Sequence, residues 1–386
     1  MKEGKKIIVP PSREDLVSVP PHVPPRDRIP LPKLTEREVT RRVNAFQESS
    51  VKVNLSSSSL PSICMYTFFN TNGGMNCMDI SEDSSLMAAG FSDSQIRVWS
   101  LTGTFLYELK SNEELDDLED SEFDYNSLFD KSTGSLCKTL IGHSGPVFAV
   151  KFSPDNRFLI SCSEDTTARL WSLELYSNLV CFKGHNYAVW DVDFSPMGTY
   201  FATASSDRTA RLWNTQYIYP LRIFAGHLGD VDCVKFHPNC NYLATGSSDK
   251  TCRLWDVQTG TCVRLFTGHT GTIYTLSISP NGKYLASSGE DKVINVFDLS
   301  TGKQFGSFIG HSSSVYSLQF SSDGNMLASA SQDNTVRLWD FAGLDSTPRP
   351  SNLQLAAFPT KCTPVVYTRF TRKNVLLAGG FFTSSD

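Results

Sequence analysis

Five histidines, His143, His185, His227, His269 and His311, each follow a glycine and recur every 42 residues. A hydroxyl residue stands 18 positions after each one: Ser161, Thr203, Thr245, Ser287 and Ser329. Four positions further on comes an aspartate: Asp165, Asp207, Asp249, Asp291 and Asp333. An aromatic closes each copy: Trp171, Trp213, Trp255, Phe297 and Trp339. Asp, His and Ser are the parts of a nucleophilic triad, and histidine is also a common metal ligand. Neither chemistry suits this pattern. Five identical triads in one chain make no mechanistic sense. One histidine per copy keeps the rings apart, whereas a zinc site needs three or four ligands within coordination reach.

The elements that must position these residues follow from the same period. Residues 226–256 hold strand-length runs such as Val231–Phe236, Tyr242–Thr245 and Thr251–Trp255, with Cys262–Phe266 before the next Gly-His. The runs are rich in β-branched and aromatic residues and bounded by Pro-Asn, Ser-Asp or Thr-Gly turns. No window within a repeat keeps helical spacing. A 42-residue period of four short antiparallel strands describes one blade of a β-propeller.

The Gly-His openings and Trp-Asp endings resemble the WD-repeat family over roughly residues 60–382. The resemblance implies that histidine, hydroxyl, aspartate and tryptophan are hydrogen-bonded in series as a structural network. The groups suit this: imidazole can donate to a carboxylate and accept from a hydroxyl, and indole N–H can give to that hydroxyl. Phe297 lacks the indole donor. The blade ending at Trp99 has Asp93 but Thr71 and Ala89 in place of histidine and hydroxyl, and the last copy has Lys361 and Gly379 and no aspartate. The resemblance also places the residue after the first buried apolar of each first strand at the upper mouth of a central channel. These are Phe148, Trp190, Asp232, Tyr274 and Tyr316, the candidate partner-binding residues, with Glu164, Glu290 and Gln332 on the rim. Aromatics clustered at the centre of a surface suit an interface, and the Asp232 carboxylate suits a basic group.

Composition narrows the function classes. A net charge of −5 argues against a general nucleic-acid surface. Ten cysteines lie scattered, with no C-x-x-C; Cys162, Cys181, Cys233 and Cys252 read as strand residues. A reducing compartment, without disulfides or zinc, is expected. There is no apolar leader and no run of membrane-span length. No phosphate loop, metal cluster or isolated nucleophile–base pair points to an enzyme, a cofactor or a small-molecule substrate.

Taken in order, residues 1–34 read as a proline-rich linker, with eight prolines between Pro10 and Pro32. Residues 35–50 read as a short helix: Thr35 and Glu38 make a capping box, and Val39, Val43 and Phe46 a stripe expected to dock on the chain's own propeller. Residues 51–382 form the propeller. Strands near Val365–Phe370 and Val375–Gly379 leave the last blade incomplete, so Val51–Leu55 and Ile63–Phe69 are expected to supply its third and fourth strands. The count is then seven blades in an all-β fold, closed by shared N- and C-terminal strands. The first blade carries an acidic insertion, residues 111–131, with nine carboxylates from Glu113 to Asp130 and no base among them. It reads as a solvated loop or a dock for a basic partner such as a histone segment, and should leave the face opposite the His/Asp loops.

Strings outside the repeat motif carry a closer resemblance, to the fifth-subunit family of TBP-associated factors. They are DRIPLPKLTE at 27–36, LPSICMYTF at 60–68, GHSGPVFAVKFSPD at 142–155, GHNYAVWDVDFSP at 184–196, PLRIFAGHLGDVDCVKFHPN at 220–239 and TKCTPVVYTRFTRKNVLLAGG at 360–380. The connection FAGLDSTPRPSNLQL resembles the SAGA/PCAF-type paralogue more than the TFIID subunit. The resemblance implies a non-enzymatic scaffold in a nuclear coactivator complex. Its partners would be histone-fold TBP-associated factors, a sixth-subunit-like helical-repeat protein and acetyltransferase-complex subunits. Members carry a large helical domain ahead of the propeller; none is visible in this sequence, so roles tied to it do not carry over. An adaptor of the cullin-linked kind, or a module reading histone tails through the channel mouth, are the other readings.

Overall fold

The computed structural model describes residues 55–69, 71, 74–110, 129–345 and 353–383, together with Val39, Thr40, Val43 and Gln47. Among the described residues, seven sheets of three or four strands, antiparallel but for one strand of the last, follow one another along the chain. We number them as blades by their innermost strands: Met75–Ile80, Val147–Phe152, Val189–Phe194, Val231–Phe236, Ile273–Ile278, Val315–Phe320 and Val365–Phe370. Each innermost strand packs on the next, and the seventh returns to the first, so the sheets close into a ring. Blades 1 to 6 have four strands each.

Side chains stand alternately up and down across each strand, so the apolar residues of neighbouring blades interleave. Ile160 and Phe182 of blade 2 pack with Val192, Phe201 and Trp213 of blade 3. Innermost strands face the channel with unpaired backbone groups, an edge that must be satisfied. The preceding blade does this. Asp79 accepts from the Phe152 amide at 2.9 Å, Asp193 from Phe236 at 3.0 Å, and the Ser277 hydroxyl from Phe320 at 3.3 Å. The same residues hold the channel's charges: Lys151 meets Asp79 at 3.0 Å, and Lys235 meets Asp193 at 2.7 Å.

The closing blade differs from expectation in one respect. Ile63–Phe68 lies directly against Leu376–Phe381, as the third strand of the sheet and not the fourth, and it runs parallel to it. Parallel is the direction a fourth strand has relative to the second, so this strand occupies the slot next to the second strand with the polarity of the outermost one. Val51 to Asn54 lie outside the described residues; Leu55 is buried against Met326, Leu338 and Phe370, and its amide donates to Asp323 at 3.0 Å. The proline-rich segment also lies outside them, as does most of the short helix. Val39 and Val43 are helical and half exposed.

Between the third and fourth strands of blade 1 the chain makes an extra two-stranded ribbon, Leu106–Leu109 with Phe129–Ser135. Lys138 anchors its base, donating to Glu108 at 2.8 Å and to the Thr133 carbonyl at 3.0 Å. Residues 111–128, most of the acidic insertion, lie outside the described residues.

Candidate functional site

In each of blades 2 to 6 the repeated polar residues meet. His227 Nδ1 stands 2.8 Å from Asp249, its Nε2 2.8 Å from the Thr245 hydroxyl, and Trp255 Nε1 donates to that hydroxyl at 2.8 Å. His143, Ser161, Asp165 and Trp171 repeat the arrangement. So do His185, Thr203, Asp207 and Trp213, and His311, Ser329, Asp333 and Trp339. An ionised carboxylate only accepts, so Nδ1 must carry the proton. Nε2 then accepts from the hydroxyl, whose oxygen accepts from the indole.

Connectivity of Asp, His and Ser is that of a triad, but accessibility is not. All five hydroxyl-bearing residues are 0 % exposed, and their oxygens already face indole or imidazole. What the network does is tie loops. Asp249 also accepts from the amides of Leu228 and Thr251 and from the Thr251 hydroxyl, which joins the Gly-His loop to the turn between second and third strands. In that turn Lys250 adopts φ 67°, a conformation ordinary residues seldom take. Burial works to raise the Asp249 pKa, but hydrogen bonds from Thr251 and His227 overcome it and hold it at about 2. Burial lowers the pKa of His185, His227 and His311 against the pull of their aspartates, so each ring is held neutral.

Blade 5 departs. His269 meets Asp291 at 2.5 Å and Ser287 at 2.7 Å, but Phe297 brings no N–H. Asn295 stands where blades 2, 3, 4 and 6 have arginine. Its amide lies 3.4 Å from the His269 ring, and Gln304 donates to its carbonyl at 2.9 Å. Blade 1 has no histidine at Thr71; there Asp93 pairs with Arg97 at 2.8 Å. Blade 7 has neither histidine nor aspartate, and its Gly379 lets Met78 pack against the backbone.

The upper mouth is built by bulges. In every blade the pairing of first and second strands skips one residue, and the skipped residues are Asn76, Phe148, Trp190, Asp232, Tyr274, Tyr316 and Val366. A bulge re-aims its extra side chain, and all seven line one central cavity of about 580 Å³. Five of them were named from sequence. Asn76 and Val366 sit in the two blades without a Gly-His, and only the offset from the first buried strand residue could have found them. The aromatics pair: Phe148 with Trp190 at 4.6 Å between centroids, and Tyr274 with Tyr316 at 5.8 Å. Asp232 stands between the pairs in ring order. Of the rim residues, Gln332 lines the cavity; Glu164 and Glu290 are exposed.

Among the described residues, two polar atoms of the mouth have no hydrogen-bond partner, Trp190 Nε1 and Asp232 Oδ2; the same carboxyl does accept from the Ser248 amide. Burial pushes the Asp232 carboxyl up to about 7, with Asp230 and Asp249 adding to the effect. The cations nearest in the channel wall, Lys151 and Lys235, are held by Asp79 and Asp193. The mouth is therefore aromatic and acidic, and the two lysines that line it are paired with carboxylates other than Asp232.

The family description "WD domain, G-beta repeat" matches residues 62–100, 134–172, 176–214, 218–256, 260–298 and 302–340, more than half of the chain. The chain belongs to the WD-repeat family. Among its relatives, this WD-repeat chain is 43% identical over 164 residues to transcription initiation factor TFIID subunit 5 of Drosophila melanogaster. It is 43% identical over 160 residues to the SAGA complex/transcription factor TFIID complex subunit Taf5 of Schizosaccharomyces pombe. It is 46% identical over 150 residues to the TAF5-like RNA polymerase II p300/CBP-associated factor-associated factor 65 kDa subunit 5L of Mus musculus. These stretches cover 42%, 41% and 36% of this chain but 23%, 22% and 24% of those proteins, so the chain spans about a quarter of the length of the curated relatives it matches. The resemblance to the fifth-subunit family of TBP-associated factors, the TAF5-like branch included, is borne out by these relatives.

Proposed function

We propose that this chain is a non-enzymatic scaffold subunit of a nuclear transcription coactivator complex, of the SAGA/PCAF acetyltransferase type or of TFIID, serving RNA polymerase II transcription. The observation that carries the reading is the 43–46% identity to subunits bearing those names. The geometry supports a binding role over a catalytic one, since the repeated hydroxyls are buried. The ring is preorganised by its hydrogen-bonded loops, so a partner that docks on it loses little free energy to ordering the surface. The channel mouth is the contact surface we assign, through Phe148, Trp190, Asp232, Tyr274 and Tyr316. Its partners on this reading are histone-fold TBP-associated factors, a sixth-subunit-like helical-repeat protein and acetyltransferase-complex subunits. A second reading, recognition of a basic histone segment, is favoured by the buried Asp232 Oδ2, which has no partner among the described residues.

The test is affinity purification of the tagged chain from nuclear extract with mass spectrometry. Histone-fold factors together with acetyltransferase subunits support the SAGA-type role, and TFIID subunits alone support the other. Cullin or F-box components in their place overturn the scaffold reading. Tyr316→Ala should deplete the retained subunits if the mouth is the contact.

A further inference from the structure

We infer that the channel mouth receives one arginine side chain from an extended segment of a partner, its guanidinium held between the two aromatic pairs and hydrogen-bonded to Asp232. The inference rests on the mouth being a contact surface and names what it contacts.

Three observations meet at this point. Asp232 Oδ2 is buried without a partner, an arrangement that costs free energy until a donor arrives. Trp190 Nε1, on the neighbouring blade, is a buried donor without an acceptor. The two residues are neighbours in ring order, and the remaining members of that ring are mostly aromatic. An occupant that relieves both atoms must bring a donor and an acceptor together. An arginine in an extended segment does so: guanidinium N–H groups for the carboxylate, and its own or a neighbouring backbone carbonyl for the indole. Its planar cation stacks on aromatic faces on either side, here Phe148 with Trp190 and Tyr274 with Tyr316. A lysine offers a point charge and no plane. The field favours a cation, because Asp230 and Asp249 stand near Asp232 and Glu290 stands near Tyr274. The remaining ring members do not compete: Asn76 is engaged with the Val147 carbonyl and the Ser92 hydroxyl, and Val366 is apolar. Because Oδ2 and Nε1 are covered in this structure, entry requires the aromatic rings to turn aside.

The test uses the full chain labelled with nitrogen-15 and blocked five-residue peptides, Gly-Ala-X-Ala-Gly, with X arginine, citrulline, lysine or trimethyl-lysine. The Trp190 indole N–H resonance, assigned from Trp190→Phe, reports the mouth. The arginine peptide should shift that resonance, and citrulline, of the same shape without charge, should bind at least tenfold more weakly. Asp232→Asn should lose at least tenfold in affinity while melting no lower than the parent, since it removes a buried charge while its amide oxygen can still accept from the Ser248 amide. Citrulline binding as well as arginine, trimethyl-lysine binding better, no movement of the Trp190 resonance, or full affinity in Asp232→Asn would each overturn the inference. If the peptides fail while Tyr316→Ala still depletes subunits in the purification, the mouth remains a contact surface and only the arginine is lost. If both fail, the mouth assignment falls with it.

Discussion

Blades 4 and 5 are neighbours of one design, and they hold their loops differently. In blade 4 the Thr245 hydroxyl serves two partners, His227 and Trp255. In blade 5 Ser287 serves His269 and, in place of an indole, the Cys252 thiol of blade 4, and Asn295 with Gln304 supplies polar contacts from the side. The departures come as a set. Gly289 stands where blades 2, 3, 4 and 6 have Ser163, Ser205, Ser247 and Ser331 two residues before the aspartate, and a Cβ there would come within 1.9 Å of the Thr272 carbonyl oxygen. The His–Asp pair is common to both blades, whereas the indole is not. The difference teaches that, where the Gly-His loop is present, the aspartate turn is the shared joint and the tryptophan reinforces it.

The largest effect should come from the aspartates. Asp249→Ala strips four donors of their acceptor and should destabilise the fold by about 3 kcal/mol in denaturant titration. Asp291→Ala should cost less, about 2 kcal/mol, because Val293 has no hydroxyl to lose where blade 4 has Thr251. Equal costs would break the comparison. Next come the hydroxyls. Thr245→Val leaves both an imidazole nitrogen and an indole N–H unpaired and should cost about 2 kcal/mol, against about 1 kcal/mol for Ser287→Ala. Trp255→Phe makes blade 4 resemble blade 5 at this position. It should cost about 1 kcal/mol in the same titration, and a cost above that of Asp249→Ala would reverse the hierarchy.

The smallest effect is a pH dependence. Asp249 is held at about 2 in the fold and rises to about 3.9 when unfolded. Its contribution is present above about pH 4 and is lost as pH falls toward 2. The neutral histidines act in the same sense: the unfolded ring, near pKa 6.5, takes up its proton before the folded one, so stability starts to fall as pH drops below about 6.5. Asp249→Asn should flatten the stability curve between about pH 4 and pH 2; an unchanged slope there would place the acid sensitivity elsewhere.

Most of the ring was readable because its joints need particular residue types at particular offsets. His227, Thr245, Asp249 and Trp255 cannot be exchanged without stranding a polar group, so the period stands in the sequence. The mouth was readable for the same reason, since each mouth residue sits at a constant offset from such a histidine. Where the histidine is missing, as in blades 1 and 7, Asn76 and Val366 were missed. The ribbon Leu106–Leu109 with Phe129–Ser135 was missed because FDKSTGS has no alternation of apolar residues. The direction of Ile63–Phe68 could not be read at all: strand periodicity is the same in either polarity, and only the ring decides which edge is open.

That parallel strand has a kinetic meaning. Hairpins within a blade join residues close in sequence and can form as they are synthesised. The ring's last joint cannot. Ile63–Phe68 must wait for Leu376–Phe381, and the Tyr367 hydroxyl that donates to Asp79 at 2.6 Å lies 288 residues along the chain from it. Contacts of such separation pay loop-closure entropy before they return anything. The closing joint therefore carries a larger loop-closure cost than any hairpin within a blade, and while it is unmade the edge of Ile63–Phe68 is open to any other chain that offers a strand.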